Sequence, residues 1–194
     1  MDGGPLTQAL ARLGTGDGEA LPELVRLLYQ DLHAIARRQL RHERKEHTLG
    51  PTALVNEAYL KLSRDVRIDA QSRTRFLGAA SVAMRRVLVD YARTRKRHKR
   101  GGGQAHEPLD EDAVAAVMSE QEADEILALE DALGRLEAAE ARTAHVVQLR
   151  FFGGLTTDEI AQSMDVSAKT VQRIWVTGRA WLRKEVGRDL GLAL

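Results

Sequence analysis

Apolar side chains recur at three- and four-residue steps through most of this chain, the spacing of helices that bury one stripe. Leu21, Leu24, Val25, Leu28, Leu32, Ile35, Ala36 and Leu40 predict one helix from Leu21 to about Arg44, with Arg37, Arg38, Arg41 and Arg44 on its other face. In the stretch His47-Thr-Leu-Gly-Pro-Thr52, Gly50 and Pro51 break that helix and Thr52 is placed to cap the next. Residues 53–64 carry Leu54, Val55, Ala58, Tyr59 and Leu62 on one side and Asn56, Glu57 and Lys61 on the other. After a polar connection at 65–74, helical spacing resumes from Arg75 through Phe76, Leu77, Ala80, Val82, Ala83, Val87, Leu88 and Tyr91. The triple glycine 101–103 ends this unit. Residues 104–122 are acidic with few large apolar side chains, which is linker composition. Ile126, Leu127, Leu129, Leu133 and Leu136 restore the helical period over 123–141, and a patterned tail runs from about Ala144 to Leu190. Residues 1–20 are Gly-rich and weakly patterned. The expected fold is all-α: two small helical domains joined by a flexible acidic linker.

Composition narrows the function classes. The 4% aromatic content suits helical bundles better than a β-sandwich. The absence of cysteine excludes a disulfide framework, a thiolate zinc site and a cysteine nucleophile. No apolar run approaches the roughly 20 residues that span a bilayer, and MDGGPLTQAL lacks the basic-then-apolar layout of a signal peptide. A soluble cytoplasmic protein without membrane insertion is expected. His33, His42 and His47 lack the i,i+4 pairing of metal ligands, the glycines 101–103 lack the strand and Lys-Ser/Thr context of a phosphate loop, and Glu137 and Glu140 read as a solvated face. No catalytic residue, metal or cofactor is expected.

The net charge of +1 conceals an asymmetry that does bear on partners. Residues 21–100 hold 19 basic and 8 acidic side chains, net +11, whereas residues 101–145 hold 2 and 12, net −10. Such separation points to nucleic acid or a membrane surface. The densest basic run is Arg93-Thr-Arg-Lys-Arg-His-Lys-Arg100, with Arg85 and Arg86 upstream, so several phosphates could be met together. The acidic segment could compete with DNA for those basic faces.

The sharpest local signal lies at Leu155–Ile174. Thr156-x-x-Glu159 is a capping box, with Asp158 and Glu159 suited to the positive end of a helix dipole. Ile160, Ala161 and Met164 form an inward face, Asp165 suits a left-handed turn residue, Val166 plugs the core, and Ser167 is a good N-cap. Val171, Ile174 and Trp175 then face inward. This is a helix-turn-helix whose second helix would lie in the major groove. Gln172 and Arg173 have the chemistry to read adenine and guanine edges. Ser167, Thr170, Lys169, Arg179 and Arg183 flank them, the basic ones suited to phosphates.

The order of parts resembles a bacterial RNA polymerase sigma factor of the extracytoplasmic-function (ECF) subfamily. Leu54-Val-Asn-Glu-Ala-Tyr-Leu-Lys-Leu62 resembles its polymerase-binding helix. Phe76-Leu77 through Met84-Arg85-Arg86-Val-Leu-Val-Asp90-Tyr-Ala-Arg93 resembles its promoter-melting and minus-ten-reading helix, and the tail its minus-thirty-five module. His47-Thr48-Leu49 with Pro51-Thr-Ala-Leu-Val resembles one ECF subgroup. The resemblance implies a flexible N-terminus at 1–19, a domain for core polymerase and the minus-ten element at 20–100, an acidic linker at 101–125 and a minus-thirty-five domain at 126–190. Core RNA polymerase and promoter DNA would be the partners, and an anti-sigma factor stays open. Asn56, Glu57 and Lys61 would contact polymerase. Phe76, Arg85, Arg86, Arg93, Arg95, Lys96 and Arg97 would serve the minus-ten element, with Phe76 either stacking on a base or buried. A stand-alone helix-turn-helix regulator is the alternative.

Overall fold

The computed structural model describes residues 4–40, 49–64, 68, 70–100 and 118–192, with side chains outside 98–100. The triple glycine, the acidic stretch up to residue 117, Arg41, Arg44 and most of the polar connection at 65–69 lie outside the described residues.

Residues expected to be flexible at the N-terminus form helix α1, Pro5–Gly14. Pro5 takes the first turn, where its missing N–H costs nothing. Ala9, Leu10 and Leu13 bury a stripe against the following helix. The single helix expected from Leu21 is two, α2 (Ala20–Leu27) and α3 (Tyr29–Gln39), articulated at Leu28. Leu28 has φ −105° and ψ 13°, yet its N–H still reaches Leu24 O and its carbonyl accepts from Leu32 N–H. The apolar period therefore continues through the bend. Helix α4 spans Pro51–Arg64. Thr52 is helical rather than the cap, because proline claims the first position, and its hydroxyl lies 3.3 Å from the Tyr29 hydroxyl.

Helix α5, Arg73–Arg100, runs 28 residues and begins two residues earlier than its period suggests. Helix α6, Glu120–Val147, starts inside the segment expected to be linker. A capping box starts it: Ser119 Oγ accepts from Glu122 N–H, and the Glu122 carboxylate accepts from Ser119 N–H. Glu140, at φ −148° and ψ 69°, kinks α6. A π-helical turn at Gln148–Phe152 then leads to α7 (Thr157–Met164) and α8 (Ala168–Asp189). Among the described residues there is no strand, and no helix is long and apolar enough to cross a membrane.

The two helical halves share a core. One apolar cluster joins Phe76, Leu77, Met84 and Leu54 of the first half to Val146, Leu149, Ile160 and Val171 of the second. A smaller cluster, including Leu133, Leu136, Val147 and Leu182, holds α6 to α8. Gly78 of α5 is one close-approach point between halves: a Cβ there would sit 2.7 Å from Leu149 Cδ2.

Candidate nucleic-acid interface

Local bonding fixes the α7–α8 pair tightly. Thr156 Oγ1 accepts from Glu159 N–H at 3.2 Å, and the Glu159 carboxylate accepts from Thr156 N–H at 2.8 Å and from its hydroxyl at 2.9 Å. The Thr156 backbone bond is the largest cause holding the Glu159 pKa below the usual carboxylate value; partial burial opposes it, and the Thr156 hydroxyl and Arg73 add to it. Asp165 ends α7 in the left-handed region, at φ 52° and ψ 52°, and the Val166 N–H returns to Ala161 O at 3.0 Å. Asp tolerates this conformation because its short polar side chain costs less there than a branched one. Ser167 Oγ then accepts from Thr170 N–H at 3.1 Å and starts α8.

The inward positions Ile160 and Val171 are fully buried. Lys169, Gln172, Arg173, Arg179 and Arg183 are exposed along the outer side of α8. Ser167 and Thr170 are partly committed to the cap, their hydroxyls 2.9 Å apart. The Arg179 guanidinium lies 5.8 Å from the Trp175 ring centre, which steadies it. Sequence reasoning passed over Val176, which is 50% exposed among these polar residues. A lone apolar residue on a polar face was the available signal, and a thymine methyl is a matching surface.

The basic residues of α5 divide between two faces. Arg86, Arg93 and Arg97 are exposed and lie seven and four residues apart, hence on one side of the helix. Among the described residues Arg93 has a distant partner, Asp90 at 3.9 Å, and Arg97 bonds the Thr94 hydroxyl at 2.8 Å. Arg85 is different: its side chain is 12% exposed, ion-paired with Glu130 of α6 and stacked 5.5 Å from the Phe152 ring centre. Burial lowers its pKa, the Arg86 charge adds to that, and Glu137 opposes it. Lys96 is paired with Asp124 of α6 at 2.6 Å. Arg95 is half-buried. Arg85 and Lys96 are therefore paired with α6 while Arg86 is exposed, a difference that helix periodicity does not carry, because it gives a face but not the neighbour that covers it. Phe76 is fully buried, the second of the two states expected for it.

On α4, Asn56 is exposed and Glu57 half-buried, while Lys61 is tied to Asp90 of α5 at 2.6 Å. Leu60, 45% exposed and one turn beyond Asn56, is an apolar surface residue that neither expected side of the helix included. Arg73 was also missed: at the start of α5 it bridges Asp31 of α3 at 2.7 Å and Glu159 of α7 at 3.0 Å.

Searches among curated proteins and among solved structures gave no match. The capped helix pair, the long basic helix and the amphipathic α4 lie within a single stretch that a family model, described as ECF sigma factor, matches from residue 4 to residue 188, and the chain belongs to that family.

Proposed function

We propose that this ECF sigma factor, as a family member serving transcription initiation, binds core RNA polymerase through α4, carries it to a two-element promoter and helps separate the strands. The observation that carries this reading is the α7–α8 pair, whose caps and left-handed turn present one polar face of α8 to solvent. Gln172 and Arg173 read bases of the minus-thirty-five element in the major groove. Lys169, Arg179 and the N-terminal turn at Ser167 and Thr170 hold phosphates. Arg86, Arg93 and Arg97 track the backbone at the minus-ten element, with Arg85, Arg95 and Lys96 beside them. Asn56, Glu57, Leu60 and Lys61 form the polymerase face.

The test is run-off transcription from a promoter library with core enzyme, followed by sequencing of the transcribed templates. Specific initiation only when the chain is added supports the proposal. Tight, specific duplex binding with no association to core enzyme would replace it with the stand-alone regulator.

A further inference from the structure

Helices α3, α5, α6 and α8 and the π-helical turn together wall a cavity of about 610 Å³. Leu88 of α5 and Ile126 and Leu129 of α6 give it an apolar lining. Phe151 and Phe152 of the π-helical turn and Trp175 of α8 add three aromatic rings. Phe151 is 45% exposed and Arg179, also on the wall, is exposed, so the cavity communicates with solvent. Small organic ligands occupy spaces of this size, with mostly apolar and aromatic walls and a few polar groups.

Charge on the wall leans positive. Its acids are engaged: Glu122 accepts from Ser119 N–H at 2.8 Å, Glu125 from Gln121 Nε2 at 2.9 Å, and Glu130 is ion-paired with Arg85. Arg38, Arg150 and Arg179 line the same cavity with no carboxylate partner among the described residues. Arg150 donates to the Leu155 carbonyl at 3.3 Å, Arg179 lies against the Trp175 ring, and the Arg38 guanidinium fills the space beside Gly154. The three come from α3, the π-helical turn and α8, so the fold brings them to one place.

Two polar atoms on this wall are unsatisfied. Gln39 Nε2 donates to the Ser81 carbonyl at 3.0 Å, while its Oε1 is buried with no partner among the described residues. Arg85 Nε is buried and unpartnered in the same sense. A buried polar group without a partner is costly. Gln39 lacks a donor and Arg85 an acceptor.

We infer that this cavity binds a planar aromatic carboxylate that carries a hydroxyl group. The three rings offer faces to a flat aromatic body. Guanidinium forks match a carboxylate in geometry and charge. The ligand hydroxyl donates to Gln39 Oε1, and a ligand oxygen accepts from Arg85 Nε. The site does not depend on the promoter-binding reading, and run-off transcription can fail with ligand binding intact.

The probe is 6-hydroxy-2-naphthoate, added to the full-length protein and followed by calorimetry and by the indole N–H resonances of its two tryptophans. Saturable binding should shift the Trp175 signal and leave Trp181, which does not line the cavity, in place. The neutral isostere 6-hydroxy-2-naphthamide should bind about ten- to a hundredfold more weakly, as should the acid to Arg38→Met or Arg150→Met, since each change removes a charge-assisted hydrogen bond. Gln39→Met should weaken the hydroxylated acid but leave 2-naphthoate unchanged. Ile126→Phe, which fills the space, should abolish binding; circular dichroism checks that it folds, and the arginine variants test the site independently of it. Equal affinity for acid and amide would overturn the anion site and leave an unselective apolar cavity. No saturable shift of Trp175, or equal shifts of both indoles, would overturn the site altogether.

Discussion

Two glycine-to-alanine substitutions should change stability in opposite directions. Gly178 is buried where α8 crosses the segment after the α6 kink, and a methyl there would sit 2.7 Å from Val147 Cγ2 and 2.8 Å from Thr143 Cγ2. Relaxed carbon pairs stand about 3.5–4.0 Å apart. Both opposing methyls sit on β-branched side chains with stiff χ1, so relief requires α8 to move. Overpacking costs about 1–3 kcal/mol, against a gain of about 1 kcal/mol in helix propensity. Gly178→Ala should therefore lose about 1 kcal/mol net, a fall in Tm of about 2–4 °C for a chain of this size. Gly134, in the middle of α6, is exposed, with nothing within 4 Å of an added Cβ. Gly134→Ala keeps only the propensity gain and should raise stability by up to about 1 kcal/mol. Thermal unfolding by circular dichroism and calorimetry checks both. Duplex binding should weaken only in Gly178→Ala, because the shift is carried along α8 to Gln172 and Arg173. If Gly178→Ala stabilised as much as Gly134→Ala, the described seating of α8 on Thr143 and Val147 would be wrong.

Arg173→Ala should lose about 1–3 kcal/mol of duplex affinity at one base position, whereas Lys169→Ala should weaken all sequences alike; a binding-site selection with each variant separates the two. Phe76→Ala should cost about 3–5 kcal/mol of folding stability, since it leaves a cavity in the core; a stable variant with a specific strand-opening defect would restore the stacking role. Glu159 has a folded pKa below its unfolded value near 4.5, so its contribution is present above that pH and disappears as pH falls through the folded pKa. The stability gap between wild type and Glu159→Gln, read by denaturant titration, should therefore be widest near neutrality and close as pH falls from 4.5 through the folded pKa; a gap constant with pH would refute the capping-carboxylate account.

The helix pair at the tail was legible because each device in it is local. A capping box spans four residues, the turn needs one tolerant residue, and inward positions follow the helical period. Helix α6 began with the same kind of signal, Ser119-x-x-Glu122, but acidic composition hid it. Glycines flanking α1 likewise obscured the steps Leu6, Leu10 and Leu13, which were present in the sequence. What no local signal carried was which neighbour each cation would meet. Arg85 and Arg86 are adjacent in sequence and equal in composition, yet one is ion-paired and nearly buried while the other faces water. Arg38 is a second case. It sits on α3, and its guanidinium lies in the space that a side chain at Gly154 would need, at φ 67° in the loop before α7. That juxtaposition depends on how the halves fold together, and neither segment announces it.

The basic half of the chain consequently offers fewer free cations than its 19 basic residues suggest. Lys61, Arg73, Arg85 and Lys96 are engaged with Asp90, with Asp31 and Glu159, with Glu130 and with Asp124. On the outer face of α5, Arg86, Arg93 and Arg97 remain exposed. Counterion release makes this difference countable: each phosphate neutralised on a single strand steepens the log-affinity slope against log salt by about 0.7. If removing the Asp124 and Glu130 charges frees Arg85 and Lys96 for the strand, the slope for single-stranded DNA should steepen by about 1.4 between the wild type and the Asp124→Asn, Glu130→Gln variant. A parallel line displaced upward would mean that the variant gained affinity from bulk charge alone, with the same cations touching the strand. A steeper line would mean that new cations had reached it, and by the contacts described here the first to do so are the two that α6 now holds.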